Sequence, residues 1–167
     1  LIYYRNEVNK ILSLTNEGLD YLKLILIGSI PLPIIGLLFI DIVSANMRSI
    51  DSIALMTLLF AVILYFADYK QKKELTNLTN ISIFTIIFIG LMQTLAIMPG
   101  VSRSGIVITA ALLVNFSRED SIKIAFLLSM PAIFMATVYQ SMQLYEIRNI
   151  EILNEHLLGM FLSFIFS

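Results

Sequence analysis

Six stretches of the chain carry no Asp, Glu, Lys or Arg: residues 24–40, 52–67, 75–102, 104–117, 124–145 and 157–167. Crossing a bilayer takes about 20 apolar residues, somewhat fewer where long basic side chains reach back to the interface. Stretches 24–40 and 124–145 therefore predict membrane-spanning helices, and 52–67 a short one. The run from Leu75 to Ser117 behaves differently, because Arg103 interrupts it. Around that Arg the chain reads Pro99-Gly100-Val101-Ser102-Arg103-Ser104-Gly105. Pro and Gly stop the preceding helix, and Ser is a good N-cap for the next. The two arms, over 83–98 and 104–116, are about 24 and 20 Å long at helical rise, each short for a comfortable crossing. They predict a helical hairpin, about 83–116, that re-enters the membrane with its polar loop at the tip. Irregular backbone at such depth is tolerated only where it is buried in protein or lines a wet cavity.

Composition supports the membrane assignment. Of 167 residues, 58% are hydrophobic and 14% charged, where soluble domains run at about a quarter charged. The expected fold is all-α: a polytopic membrane protein of transmembrane helices and one re-entrant hairpin, making a single integral membrane domain over 1–167. A net charge of −1 offers no basic field for nucleic acid. No Cys and one His, His156, exclude a thiolate zinc site, a disulfide framework and a His-rich metal cluster. No charged, small-residue-terminated leader opens the chain.

The basic residues predict an orientation. With 1–23, 68–80 and 117–123 on the cytoplasmic side, that side holds Arg5, Lys10, Lys23, Lys70, Lys72, Lys73, Arg118 and Lys123. The other side holds only Arg48 and Arg148, and Arg103 stays within the membrane. This bias places basic loops inside and makes the hairpin enter from the cytoplasm, its tip facing the periplasm or exterior. Ser29-Ile30-Pro31 and Ser129-Met130-Pro131 lie one hundred positions apart, as in folds built from two repeats whose broken helices meet at the site. The two Ser read as groups that satisfy carbonyls freed at proline kinks. Only the second copy follows a hairpin, and the chain starts at Leu, so a fragment of a longer protein with an inverted-repeat fold is expected.

Gln93-x-x-Ala96-x-x-Pro99-Gly100-x-Ser102-Arg103-Ser104-Gly105 resembles the second signature motif of the undecaprenyl-pyrophosphate phosphatases, the bacitracin-resistance phosphatases. Phe126-Leu127-Leu128-Ser129-Met130-Pro131-Ala132-Ile133, and Ile30-Pro31 with Gly36-Leu37-Leu38-Phe39, are also similar to that family. The resemblance implies a multi-pass enzyme of the bacterial cytoplasmic (inner) membrane with inverted repeats and two re-entrant hairpins. It would hydrolyse undecaprenyl pyrophosphate to the monophosphate, recycling the lipid carrier of cell-wall synthesis, with a divalent cation, Mg2+ or Ca2+. Its partners would be the polyprenyl pyrophosphate lipid and the membrane, with a homodimer as a candidate assembly. The family's first motif, paired Glu residues and a Ser-rich segment ending in Gly-His, is absent from this chain. Where the family usually has Thr, this chain has Val107.

The loop carries its own chemistry. Arg103 supplies a planar fork for two phosphate oxygens, which Lys cannot match. Gly100 and Gly105 let backbone approach an anion closely. Ser102 and Ser104 offer hydroxyls, and the second arm aims free N–H groups and its positive end at the tip. Arg103, Ser102 and Ser104 are the candidate catalytic residues, with Gly100, Gly105 and Gln93 as candidate substrate-binding residues. Gln93 reads equally well as a hydrogen-bonding bridge between helices. No nucleophile, base or metal-binding carboxylate pair lies near the loop, so the metal ligands are unassigned. The competing reading is a membrane transporter or channel in which Arg103 lines the path of an anion.

Overall fold

In the computed structural model, residues 16–71, 81–147, 158–163 and 165 are described. Arg5, Lys10, Lys72, Lys73, Arg148 and His156 lie outside them. The described chain is helical: α1 (Asn16–Ser29), α2 (Pro31–Asn46), α3 (Ile50–Lys70), α4 (Ile83–Thr94), a 3-10 turn (Leu95–Ile97), α5 (Arg103–Leu113) and α6 (Arg118–Ile147). Three helical runs are long and apolar enough to cross a membrane, Gly18–Val43, Ile50–Lys70 and Arg118–Met142. They take in the predicted spans 24–40 and 52–67 and all of 124–145 but its last three residues, and the protein is an all-α polytopic membrane protein. The chain falls into two compact units, Leu1–Ala132 and Ile133–Ser167. In the second, Ile133, Phe134, Val138 and Met142 of α6 are exposed. Thr137 and Ser141 donate back to the carbonyls of Ile133 and Thr137, which hides both hydroxyls from an apolar surround.

The first unit is built around the hairpin. Its core joins Leu24 of α1, Ile86 and Ile89 of α4, Ile106, Val107 and Ala110 of α5, and Ile124, Leu127 and Leu128 of α6. Outward-facing positions stay apolar: Leu55, Leu58, Leu59, Val62 and Phe66 of α3 are exposed. An exposed apolar face of this extent suits a lipid or protein surround rather than water.

The predicted span 24–40 is divided. Pro31 and Pro33 remove the two N–H groups that would reach back to Ile27 and Ser29, so α1 stops at Ser29. Ile30 N–H donates to the Ile27 carbonyl at 3.4 Å instead. The second Ser-x-Pro triplet has a single proline and stays inside α6, where Ser129 Oγ donates to the Phe126 carbonyl at 2.6 Å. The carbonyl that Pro131 frees is that of Leu127, so this bond is not the kink-satisfying one expected, though Ser129 does find an acceptor. Ser29 does not: its Oγ is buried and has no hydrogen-bond partner among the described residues.

α1 and α4 touch through their backbones. A Cβ on Gly90 would sit 2.5 Å from the Gly28 carbonyl oxygen, and one on Gly28 would meet Leu128 Cδ2 at 3.0 Å. The α1–α4 crossing needs glycine at 90, while Gly28 makes room for Leu128 of α6; small residues allow close approach where apolar burial gives helices little reason to associate.

α3 fixes both ends of the hairpin. At the base, α5 ends with Asn115 at φ 65. Asn115 N–H donates to the Leu112 carbonyl (3.0 Å) and Phe116 N–H to the Ala111 carbonyl (3.1 Å). This is the Schellman closure, with Asn supplying the left-handed residue. Gln71 Nε2 donates to the Phe116 carbonyl at 2.7 Å, and Arg118 grips Asp68 through Nε at 2.6 Å and an Nη at 2.8 Å. At the tip, Gly100 lies against Ile53 and Thr57. From Ile53–Thr57 to Asp68–Gln71 is about 21 Å along α3, against about 31 Å for the whole helix. The hairpin therefore runs from beside the C-terminal end of α3 to a point about 5–10 Å short of its other end.

Candidate phosphate-binding loop

The first arm ends earlier than the sequence predicts. α4 stops at Thr94, whose hydroxyl donates to the Leu91 carbonyl at 2.7 Å, and the 3-10 turn follows. Val101 N–H then donates to the Met98 carbonyl at 3.2 Å, closing a four-residue turn with Pro99 second and Gly100 third. Gly100 has φ 93, the value that a type II turn demands of its third residue and that favours glycine. Space demands glycine too, because a Cβ there would collide with the Ile53 carbonyl oxygen and approach Thr57 Oγ1 at 2.9 Å.

Ser102 is the N-cap of α5 and accepts from Gly105 N–H at 3.2 Å. Ser104 Oγ lies 3.3 Å from Ser102 Oγ, and both side chains are exposed. A Cβ on Gly105 would come within 3.1 Å of Ser102 Cβ, so glycine at this position gives the cap its room. The N–H groups of Arg103 and Ser104, at the first two helical positions, have no intrahelical acceptor and face the loop.

Arg103 occupies the first position of α5. It is half-buried, and its Nε is enclosed without a partner among the described residues. The first turn of α5 holds no acidic residue. Guanidinium, free N–H groups and the positive helix end therefore converge with no ion pair to Arg103 among the described residues, an arrangement that favours a bound anion. The start of α6 differs: Ser117 Oγ accepts from Asp120 N–H at 2.9 Å, and Glu119 and Asp120 sit in the first turn.

The structure thus gathers Gly100, Ser102, Arg103, Ser104 and Gly105 at one tip. Gln93 is apart from them, fully buried in the last turn of α4, and neither end of its carboxamide has a hydrogen-bond partner among the described residues. No bridge from it to another helix forms among the described residues. Thr109, one helical turn beyond Gly105, gives its hydroxyl to the Gly105 carbonyl at 2.7 Å, and Val107 is buried in the core. Neither adds a hydroxyl to the tip. Sequence reasoning missed Thr57, whose Oγ1 lies 2.8 Å from the Ile53 carbonyl and 3.1 Å from the Gly100 carbonyl. A lone hydroxyl in the apolar run from Ile53 to Leu64 was its only signal.

The donor set suits an anion and does not suit a divalent cation. It comprises hydroxyls, N–H groups and a guanidinium, and no cluster of three or more His, Cys, Asp or Glu side chains exists among the described residues. Cation ligation needs carboxylate or carbonyl oxygens gathered at one point.

Over 155 residues the chain is 40% identical to an undecaprenyl-diphosphatase of Teredinibacter turnerae, covering 86% of this chain and 57% of that protein. An undecaprenyl-diphosphatase of Pelagibacter ubique is 42% identical over 169 residues, 100% of this chain and 64% of the relative. One from Elusimicrobium minutum is 45% identical over 144 residues, 83% and 54% of the two chains. The chain spans a little over half the length of the curated relatives it matches. Its match to the family described as bacitracin resistance protein BacA runs over residues 1–167, and the chain belongs to that family.

Proposed function

We propose that the protein acts in hydrolysis of undecaprenyl pyrophosphate to undecaprenyl phosphate and inorganic phosphate, the activity named for its relatives. The observation that carries this reading is Arg103 at the uncompensated N-terminus of α5. In the reaction a water-derived oxygen bonds to the terminal phosphorus, the bond from that phosphorus to the bridging oxygen breaks, and the bridging oxygen leaves with the lipid monophosphate. Arg103 and the N–H groups of Arg103 and Ser104 hold the non-bridging oxygens, on which charge must be stabilised. Ser102 Oγ already accepts from Gly105 N–H, which leaves its proton to donate. Ser104, exposed beside it, donates likewise. No step is assigned to a cation at this tip, because its groups do not fit one. The divalent cation expected from the resemblance, Mg2+ or Ca2+, belongs in this reading with ligands other than the loop residues.

The lipid substrate suits the setting: a prenyl chain can lie against the apolar outer face while its head group reaches a loop near one end of α3. The Lys/Arg distribution supports a periplasmic or exterior tip in the inner membrane. Two experiments test these readings. Phosphate release from detergent-solubilised full-length protein should need no sealed compartment; a requirement for vesicles and a gradient would favour anion transport. A Cys at Ser102 should react with an impermeant thiol reagent from outside and one at Lys70 should not, and the reverse pattern would overturn the orientation.

A further inference from the structure

From the contacts at the tip we infer that Thr57, on α3, is a positioning residue for the phosphate-binding loop. The inference rests on the phosphatase reading and adds a second element to its site. Two observations carry it. Gly100 has its Cα side pressed on the α3 backbone at Ile53, too close for any Cβ, and its carbonyl oxygen lies 3.1 Å from Thr57 Oγ1. The Thr57 hydroxyl has one proton and two acceptors in reach, the Gly100 carbonyl and its own helix's Ile53 carbonyl at 2.8 Å. It therefore fastens the loop backbone to α3 across 43 positions of sequence.

The peptide plane transmits that hold. The Gly100 carbonyl and the Val101 N–H belong to one planar unit, so fixing the carbonyl fixes the N–H that donates to Met98. Val101 is followed directly by the N-cap Ser102 and then by Arg103. With φ 93 at Gly100, the residue before this plane can swing easily, because glycine has a wide choice of dihedrals. Thr57 removes that freedom at the point where the first arm hands over to the second. Its side chain is otherwise exposed on an apolar helix, where a hydroxyl contributes nothing to lipid packing, and among the described residues it joins α3 to the hairpin tip by a hydrogen bond.

The test uses full-length protein in lipid nanodiscs with Thr57→Val, which keeps shape and removes the hydroxyl, and Thr57→Ser, which keeps the hydroxyl. Two measurements are made: deuterium exchange of the segment 98–105, and kcat and KM for phosphate release from long-chain prenyl pyrophosphate. Thr57→Val should raise exchange in the segment and lower kcat about five- to tenfold, the effect of one lost hydrogen bond passed on to the alignment of the loop. Thr57→Ser should restore both. Unchanged exchange in Thr57→Val overturns the inference, as does raised exchange with unchanged kcat, or a Ser variant as impaired as the Val variant. If wild-type protein releases no phosphate, the phosphatase reading fails, and the exchange arm still decides whether Thr57 restrains the loop.

Discussion

Removing the Arg103 side chain should separate activity from stability. In most folded proteins a half-buried Arg contributes to both, through ion pairs and through packing of its stem. Here its Nε is buried without a partner among the described residues, and it stands at the positive end of α5 with no acidic residue in the first turn. A cation at that end opposes the helix dipole by roughly 0.3–1 kcal/mol. Arg103→Ala removes the repulsion and the unpaired donor, at the cost of some stem packing, so the unfolding midpoint should stay level or rise. Turnover should fall steeply, since a preorganised donor aimed at developing charge contributes about 3–4 kcal/mol, or two to three decades in rate. Arg103→Lys keeps the charge but loses the fork. Losing one charge-assisted hydrogen bond of about 1.5–3 kcal/mol predicts a fall of about 10- to 100-fold. The assay is phosphate release by full-length protein from long-chain prenyl pyrophosphate, with a thermal melt on the same samples. A lysine variant within about threefold of wild type would refute the bidentate role. A midpoint that drops by many degrees in Arg103→Ala would make the residue a structural one.

Gln93→Leu replaces a fully buried, unpaired carboxamide with an apolar group, and should stabilise the protein by about 1–3 kcal/mol in a denaturant titration; a loss of stability would show that the amide has a partner beyond the described residues. Gly90→Ala puts a methyl 2.5 Å from the Gly28 carbonyl oxygen, and forcing α1 and α4 apart should cost about 1–3 kcal/mol, read as a lower melting midpoint. Asp68→Ala and Arg118→Ala, in a double-mutant cycle, should be close to additive, because the pair is exposed despite its bidentate geometry; strong coupling would mean that the clasp at the base of the hairpin bears more of the fold than its exposure suggests.

The hairpin was legible because its punctuation is dense. Pro99, Gly100 and Ser102 in an otherwise apolar run mark a stop, a turn and a start, and the structure uses each in that role. The end of α5 was written as clearly, in Asn115 ahead of Ser117, although the arm was drawn out to 116. The break between α1 and α2 was hidden by hydropathy, which reads 24–40 as one span and does not register that Pro31 and Pro33 delete donors on neighbouring turns. The paired Ser-x-Pro triplets show the same limit from the other side: equal letters, but one proline against two gives a continuous helix in one case and a break in the other. Thr57 was illegible for a different reason. Its role lies in a contact with Gly100, 43 positions away, and periodicity within α3 carries no trace of a partner on another element.

The starts of α5 and α6 show how one capping geometry serves two ends. α5 and α6 begin alike, each with a Ser whose Oγ accepts from the N–H three residues on, Gly105 in one case and Asp120 in the other. They then diverge in charge. α6 follows its cap with Arg118, Glu119 and Asp120, and each is engaged: Arg118 with Asp68, the two acids with Lys123 at 2.9 and 3.8 Å. That end is electrically closed and serves to anchor the hairpin. α5 follows its cap with Arg103 and then Ser104 and Gly105, adding positive charge where the helix is already positive and offering small residues where α6 offers acids. A sequence selected for stability alone would place a carboxylate there, as α6 does. The same local geometry therefore yields an anchor at one end of the hairpin and, at the other, a helix start with no acidic partner among the described residues, which is what the proposed binding of a pyrophosphate head group requires.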